Sequence, residues 1–187
     1  MRTLSVVALL FFYTSPKSLS AEETYWQQFV HYTINVTLLP VDHALTGEET
    51  IVYKNNSPDT LYKFFLHLYP NAFRNNESIA GREARHFYQR LLKRSEDAGY
   101  LEIESFRILS SAAQTKAVTA FHINDTILAA DLPEPLPPGR EVTVELSFYL
   151  KIRKFADRAG YRDFQYDFAQ WYPKVCVYDD TGWNAEP

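Results

Sequence analysis

The chain reads as an all-β domain, either an antiparallel β-sandwich or a saddle-like, strongly curved sheet with one inserted helix. Three observations point there. Aromatic residues make up 16% of the 187, Gly numbers only 6, and Val, Ile, Thr and Tyr are plentiful, a composition suited to half-buried pleated surfaces. Several runs alternate apolar and polar residues with period two. Clusters of Pro, Asn, Asp, Ser and Gly fall between those runs at regular spacing.

The first alternating run is His31 to Leu39, with Tyr32, Ile34, Val36 and Leu38 on one face and Thr33, Asn35 and Thr37 on the other. Pro40-Val-Asp-His43 is a turn. A second strand spans Ala44 to Asn55, with Leu45, Ile51 and Tyr53 facing one way and Thr46, Glu48, Thr50 and Val52 the other. The two form a hairpin. Asn55-Asn-Ser-Pro-Asp59 breaks the chain before a third strand, Leu61 to Leu68, that Pro70 ends because it has no N–H to give a ladder. Ala80 to Ala98 is the one helical stretch, with Phe87, Leu91 and Leu92 as an apolar edge among charges and Gly99 closing it. Strands resume at Tyr100 to Leu109, Ala117 to Ile123 and Thr126 to Leu132, with Asn124-Asp125 as a hairpin turn. Pro133 to Gly139 is a stiff connector, Arg140 to Ile152 a long strand, and Arg153 to Asp163 a polar loop.

The first twenty residues stand apart. Arg2, the apolar run Leu4 to Tyr13, and Ser18-Leu-Ser20 come in the order of a signal peptide cleaved before Ala21. The run is too short to span a bilayer as a helix, so the domain itself is residues 21–187, exported to the periplasm or beyond, with no transmembrane segment. Losing Arg2 and Lys17 takes the net charge from −4 to −6, which disfavours nucleic acid as a partner. The only cysteine, Cys176, lies between Val175 and Val177 and reads as a small buried hydrophobe. Sequons occur at Asn35, Asn55, Asn76 and Asn124, and matter only in a cell that glycosylates.

Catalytic chemistry is hard to find. The five histidines, at 31, 43, 67, 86 and 122, never form H-E-x-x-H, and no Cys-x-x-Cys, Walker loop, G-x-S-x-G or dinucleotide fingerprint is present. No residue is assigned as catalytic or as a metal ligand. His67 sits in an apolar strand and reads as a hydrogen-bonded core histidine. Asp179-Asp180 beside Thr181-Gly182 reads as a turn.

The final segment, Phe164 to Pro187, is FQYDFAQWYPKVCVYDDTGWNAEP, and eight aromatics fall between Tyr161 and Trp183. So many rings need a surface to pack on. This leads to the expectation that the strip is an exposed apolar face awaiting another domain, and that the chain is truncated.

Four segments resemble the secreted bacterial branch of the aminopeptidase N family of zinc metallopeptidases. They are Tyr32 to Leu38, Leu45-Thr-Gly-Glu-Glu-Thr-Ile to Leu61, His67-Leu-Tyr-Pro-Asn-Ala-Phe73, and Gln170-Trp-Tyr-Pro-Lys174 through Trp183, in the family's order. The resemblance implies the N-terminal β-domain that packs on a thermolysin-like catalytic domain. Zinc, the H-E-x-x-H helix and the Gly-x-Met-Glu-Asn strand would then lie in that other domain, and the partners would be that domain and a peptide substrate. Relatives line the pocket for the first substrate side chain with a Thr-Gln-Phe-Glu type segment. The nearest matches nominate Gln165 first and Gln170 second as substrate-binding residues. The alternatives left open are a freestanding secreted β-sandwich that binds peptide or carbohydrate, and a small complete enzyme using Asp179 or Glu186.

Overall fold

Strand alternation carries the architecture. The computed structural model describes residues 25–87, 89, 91–109, 119–154 and 158–187; the expected signal peptide at 1–20 lies outside them. The long strands are β1 (Phe29–Leu39), β2 (Ala44–Lys54), β3 (Leu61–His67), β4 (Tyr100–Leu109), β5 (Phe121–Asn124), β6 (Ile127–Leu136) and β7 (Glu141–Lys151). Short ones follow: β8 (Gly160–Arg162), β9 (Gln165–Asp167), β10 (Lys174–Val175), β11 (Tyr178–Asp179) and β12 (Gly182–Trp183). Two antiparallel four-stranded sheets form, ordered β1-β2-β7-β4 and β10-β3-β6-β5, so the chain is predominantly β, as its composition and alternation predict.

The β1–β2 hairpin pairs without interruption from Phe29 opposite Lys54 to Leu39 opposite Ala44. On the other side β2 pairs fully with β7, from Ala44 opposite Lys151 to Lys54 opposite Glu141. Tyr53, Ile51, Val144 and Phe148 of this sheet and Phe64, Leu66 and Leu128 of the other are all 0% exposed. Rings cross between the sheets: Tyr53 meets Phe64 edge-on at 5.5 Å, and Phe106 meets Phe121 at 5.5 Å. Burial of this kind contributes about 1.5–3 kcal/mol per side chain.

The inward face of β2 holds two residues of another kind. Gly47 has to be glycine, because a Cβ there would overlap the Phe148 ring. Glu49 is 2% exposed and neither carboxylate oxygen has a hydrogen-bond partner. Its neighbours in register are Ile34 and Leu146. Burial pushes its carboxyl up to about 8, so the neutral acid is the stable form at neutral pH.

Several expectations need correction. Among the described residues the helix is α1, Ile79–His86, with a separate 3₁₀ turn at Ser95–Asp97, not one element from 80 to 98. Ser78 caps α1 by accepting from the Gly81 N–H, and Asp125 accepts from the Ile79 N–H. Beyond the helix, the Asn76 side chain bonds both the N–H and C=O of Leu92, which folds the segment back. Leu92 is therefore buried while Phe87 is 71% exposed. The β5–β6 turn falls one residue later than expected: Asn124 pairs with Ile127, leaving Asp125 and Thr126 as the loop, Asp125 at φ +53°. The connector at 133–139 is half strand, because β6 continues through Pro133 and Pro135 to pair Leu136 with Leu61. The turn proper is residues 137–140, with Gly139 at φ +75°. The polar loop at 153–163 contains β8, which pairs with β9. The strand expected from Ala117 to Ile123 is realised as β5, Phe121–Asn124, and residues 117 and 118 lie outside the described residues.

The aromatic strip is the largest correction. Tyr161, Tyr166, Trp171, Tyr178 and Trp183 pack against the domain's own core. Trp183 touches Tyr53, Phe64, Phe65 and Tyr178 at centroid distances of 5.2 to 6.1 Å. Of its rings only Phe164, at 98%, and Phe168, at 41%, are strongly exposed, together with Val177 at 60%. The rings find cover because β10 adds to the edge of β3 and carries the strip across the open side of the sandwich.

Two sequons are occupied by structure. Asn55 is 0% exposed, and its amide bonds the carbonyls of Asp59 and Leu136 while its oxygen accepts from Ser57. Asn76 is engaged with Leu92 as above.

Candidate functional site

A cleft of about 90 Å³ opens where the β8–β9 hairpin and the Gln170-Trp171 turn meet the end of β7 and the Tyr69–Phe73 turn. Its chemistry comes from Phe73, Arg153, Asp167, Phe168, Gln170 and Trp171. The Arg153 guanidinium lies 3.8 Å over the Phe73 ring, and its Nε donates to the Ala159 carbonyl at 3.0 Å. Such a stacked, bonded arginine holds one orientation. Trp171 meets Phe168 edge-on at 6.2 Å and rests against Phe148 at 6.3 Å, which ties the cleft wall to the buried core.

The hairpin is positioned by a stack that the sequence did not advertise. His43 sits in the β1–β2 turn at φ +47°, stacks on Tyr161 at 3.7 Å, and its Nδ1 hydrogen-bonds the Tyr166 hydroxyl at 2.7 Å. Lys151 donates to the Asp42 carbonyl in the same turn.

The two glutamines part company here. Gln165 is exposed on β9, and its amide donates to both carboxylate oxygens of Asp167 at 3.1 and 2.9 Å. It does not line the cleft. Gln170 does, and it holds φ +53°, a left-handed backbone that non-glycine residues rarely adopt. Arg153, Asp167 and His43 were not singled out from sequence. Only the dense Lys-Ile-Arg-Lys run at 151–154 hinted that β7 ends in charge.

The remaining candidates behave as structure. Asp179 accepts from the Thr181 N–H and hydroxyl and from the Asn184 amide, and these bonds, the Thr181 hydroxyl first, hold its carboxyl below the usual range. That is a turn clamp between β11 and β12. Cys176 is buried, and burial pushes its thiol up to about 12, so it is no nucleophile at neutral pH. His67 is half-buried and stacks on Tyr69 at 4.6 Å; burial, then the Lys174 charge, lowers its pKa. It is a stacked ring at the sandwich edge, not a hydrogen-bonded core histidine.

No three His, Cys, Asp or Glu side chains among the described residues stand together as a metal site, and with no H-E-x-x-H in the sequence this chain's residues do not fit a catalytic zinc. No helix among the described residues is long and apolar enough to cross a membrane.

No protein-family model and no curated protein sequence matches the chain. Among solved structures its neighbours are M1 zinc metallopeptidases. A mutant of the enzyme from Deinococcus radiodurans superposes with a TM-score of 0.45 at 15% identity, over 76% of this chain and 24% of that one. Another structure of the Deinococcus radiodurans enzyme gives 0.43 at 14%, over 76% and 25%. A two-domain M1 metallopeptidase mutant bound to L-tryptophan gives 0.42 at 14%, over 71% and 22%. The chain thus spans about a quarter of the length of these proteins.

Proposed function

We propose that the chain is the non-catalytic N-terminal domain of an exported zinc metallopeptidase of aminopeptidase type, and that it forms one wall of the substrate cleft. The observation that carries this reading is a convergence. Two of the segments that resemble the aminopeptidase N family, His67 to Phe73 and Gln170 to Lys174, are about a hundred residues apart, yet both line the cleft that holds Gln170. The catalytic domain, its zinc and the peptide would come from elsewhere in the polypeptide or from outside it. Gln170 is the residue of this domain that would reach the first substrate side chain, and Trp171 and Phe168 would bound it.

The test uses full-length protein and a panel of substrates that differ in their N-terminal residue. Gln170 is exposed in this chain, and Gln170→Ala should change kcat/KM ratios across the panel by about five- to a hundredfold, the worth of an amide hydrogen bond that substrate and catalytic domain would bury, with zinc content unchanged. Gln165→Ala should leave the ratios alone. Equal losses across the panel for Gln170→Ala would show a defect of docking or folding and overturn its placement. A full-length protein with no peptidase activity would overturn the reading as a whole.

A second reading keeps one specific support. The strip 161–183 is largely covered by its own domain, so it does not itself demand a docking partner. A freestanding secreted module that binds peptide or carbohydrate would look the same there. Saturable binding of a peptide or an oligosaccharide by this chain alone, with no catalytic domain present, would favour it.

A further inference from the structure

A second, wider groove lies beside the start of β1 and is lined by residues before β1, by the 56–59 turn and by residues 174–180; its volume is about 1310 Å³. Three carboxylates line it, Asp59, Asp179 and Asp180, against one cation, Lys174. Between them stand the rings of Trp26, Tyr32, Tyr53 and Tyr178. The Tyr178 hydroxyl donates to Asp59 at 2.9 Å, so ring and carboxylate are held as one unit, and Trp26 stands 6.0 Å from Tyr178 at a tilt of 33°. The Thr181 and Asn184 bonds to Asp179 fix a second carboxylate in the ionised form.

Tyr53 supplies an independent sign of a ligand. It belongs to the groove's lining beside Tyr178, it is 0% exposed, and its hydroxyl has no partner. A buried hydroxyl without a partner carries a cost that a donor placed against it removes. Anions are repelled by three carboxylates, and a cation gains more from them than a neutral ligand, which uses them only as hydrogen-bond acceptors. Aromatic faces carry negative potential and attract a cation as the carboxylates do.

We propose that this groove binds a primary alkylammonium group of the lysine type, seated on the rings of Trp26, Tyr32 and Tyr178, opposed by Asp59, Asp179 and Asp180, with an N–H given to the Tyr53 hydroxyl. The inference does not depend on the peptidase reading, since it needs no catalytic domain and no zinc.

The experiment is a titration of this chain with Nα-acetyl-lysine N-methylamide, followed by the indole N–H resonances of Trp26, Trp171 and Trp183. The Trp26 signal should shift, and the neutral norleucine derivative should bind at least about tenfold more weakly. Added salt should weaken the lysine complex. Trp26→Ala and Asp59→Asn, both outside the sandwich core, should each weaken binding by about fivefold or more. Phe164→Ser, at the tip of the β8–β9 hairpin, should leave it unchanged. A parallel titration with n-butylamine separates the sources: tighter binding of the lysine derivative assigns a peptide side chain, equal binding a free amine, and either upholds the site. Equal affinity for lysine and norleucine derivatives would make the groove a plain apolar or sugar-binding surface and overturn the proposal. So would a Trp26 signal that never moves, or binding that both groove variants leave untouched.

Discussion

The sandwich interior and the aromatic strip at 160–183 are held together by different means. The interior uses long strands, eleven residues each in β2 and β7, whose alternate side chains bury almost completely. The strip uses five strands of two or three residues, and its order comes from rings and single hydrogen bonds. Tyr166 is tied to His43, Tyr178 to Asp59, and the Val175 N–H to the Tyr32 hydroxyl. Area holds the first region, and directional contacts hold the second. Both clefts border the strip, where a single side chain can change the shape of a wall without disturbing the ladders beneath.

The largest way to break that contrast is Phe148→Ala. The ring is 0% exposed, fills the space over Gly47 and supports Trp171. Its loss should cost about 3–5 kcal/mol, read as a lower midpoint in urea denaturation. Gly47→Ala in the same background should then be tolerated far better than in the native chain, because the clash is with that ring alone.

Glu49 is the exception inside the ordered region. Its folded carboxyl is raised from 4.5 to about 8, so the unfolded chain releases a proton that the folded chain keeps. The stability of the neutral form is fully present below about 4.5 and is lost as pH rises through about 8. Denaturation at a series of pH values should show the native chain losing up to about 1.4 kcal/mol per pH unit in that window relative to Glu49→Leu. The variant should be the more stable protein at the alkaline end. Parallel curves for the two proteins would mean that Glu49 is paired or hydrated in solution.

Much of this contrast could be read from the sequence, and the part that could not has a physical cause. Period two located β1, β2 and β7 because both faces of each strand meet different solvents. The same parity places Gly47 and Glu49 on the inward face with Leu45, Ile51 and Tyr53, but their chemistry argues against burial, and Phe148, about a hundred residues on, is what makes the glycine necessary. The helix ran too long on paper because the Asn76 amide that pulls Leu92 back leaves no periodic mark. At the cleft, sequence similarity nominated two glutamines and ranked Gln165 first. The left-handed backbone at Gln170 and the Gln165–Asp167 bond are properties of the folded hairpin, not of composition.

Trp183→Ala probes the strip itself and should have the smallest effect of the three. The indole is half-buried and makes four ring contacts. A loss of about 2 kcal/mol is expected, less than for a fully buried ring. Hydrogen exchange should show the change confined to residues 174–183, with β2 and β7 protected as before. Loss of protection in β7 would show that the strip and the interior unfold as one unit.

Pro133 and Pro135 have a consequence for how copies of this protein meet in a crowded solution. Among the described residues β5 pairs with β6 only from Ile127 to Ala130, and no described strand borders the margin from Asp131 to Leu136 on that side. A neighbouring chain extending that margin would need a donor at each alternate position. Two of the six residues, Pro133 and Pro135, have no N–H, while Asp131 is held in an ion pair with Lys63. Pro133 and Pro135 thus withhold N–H groups from any strand that would add along this stretch, which guards it against sheet-to-sheet aggregation.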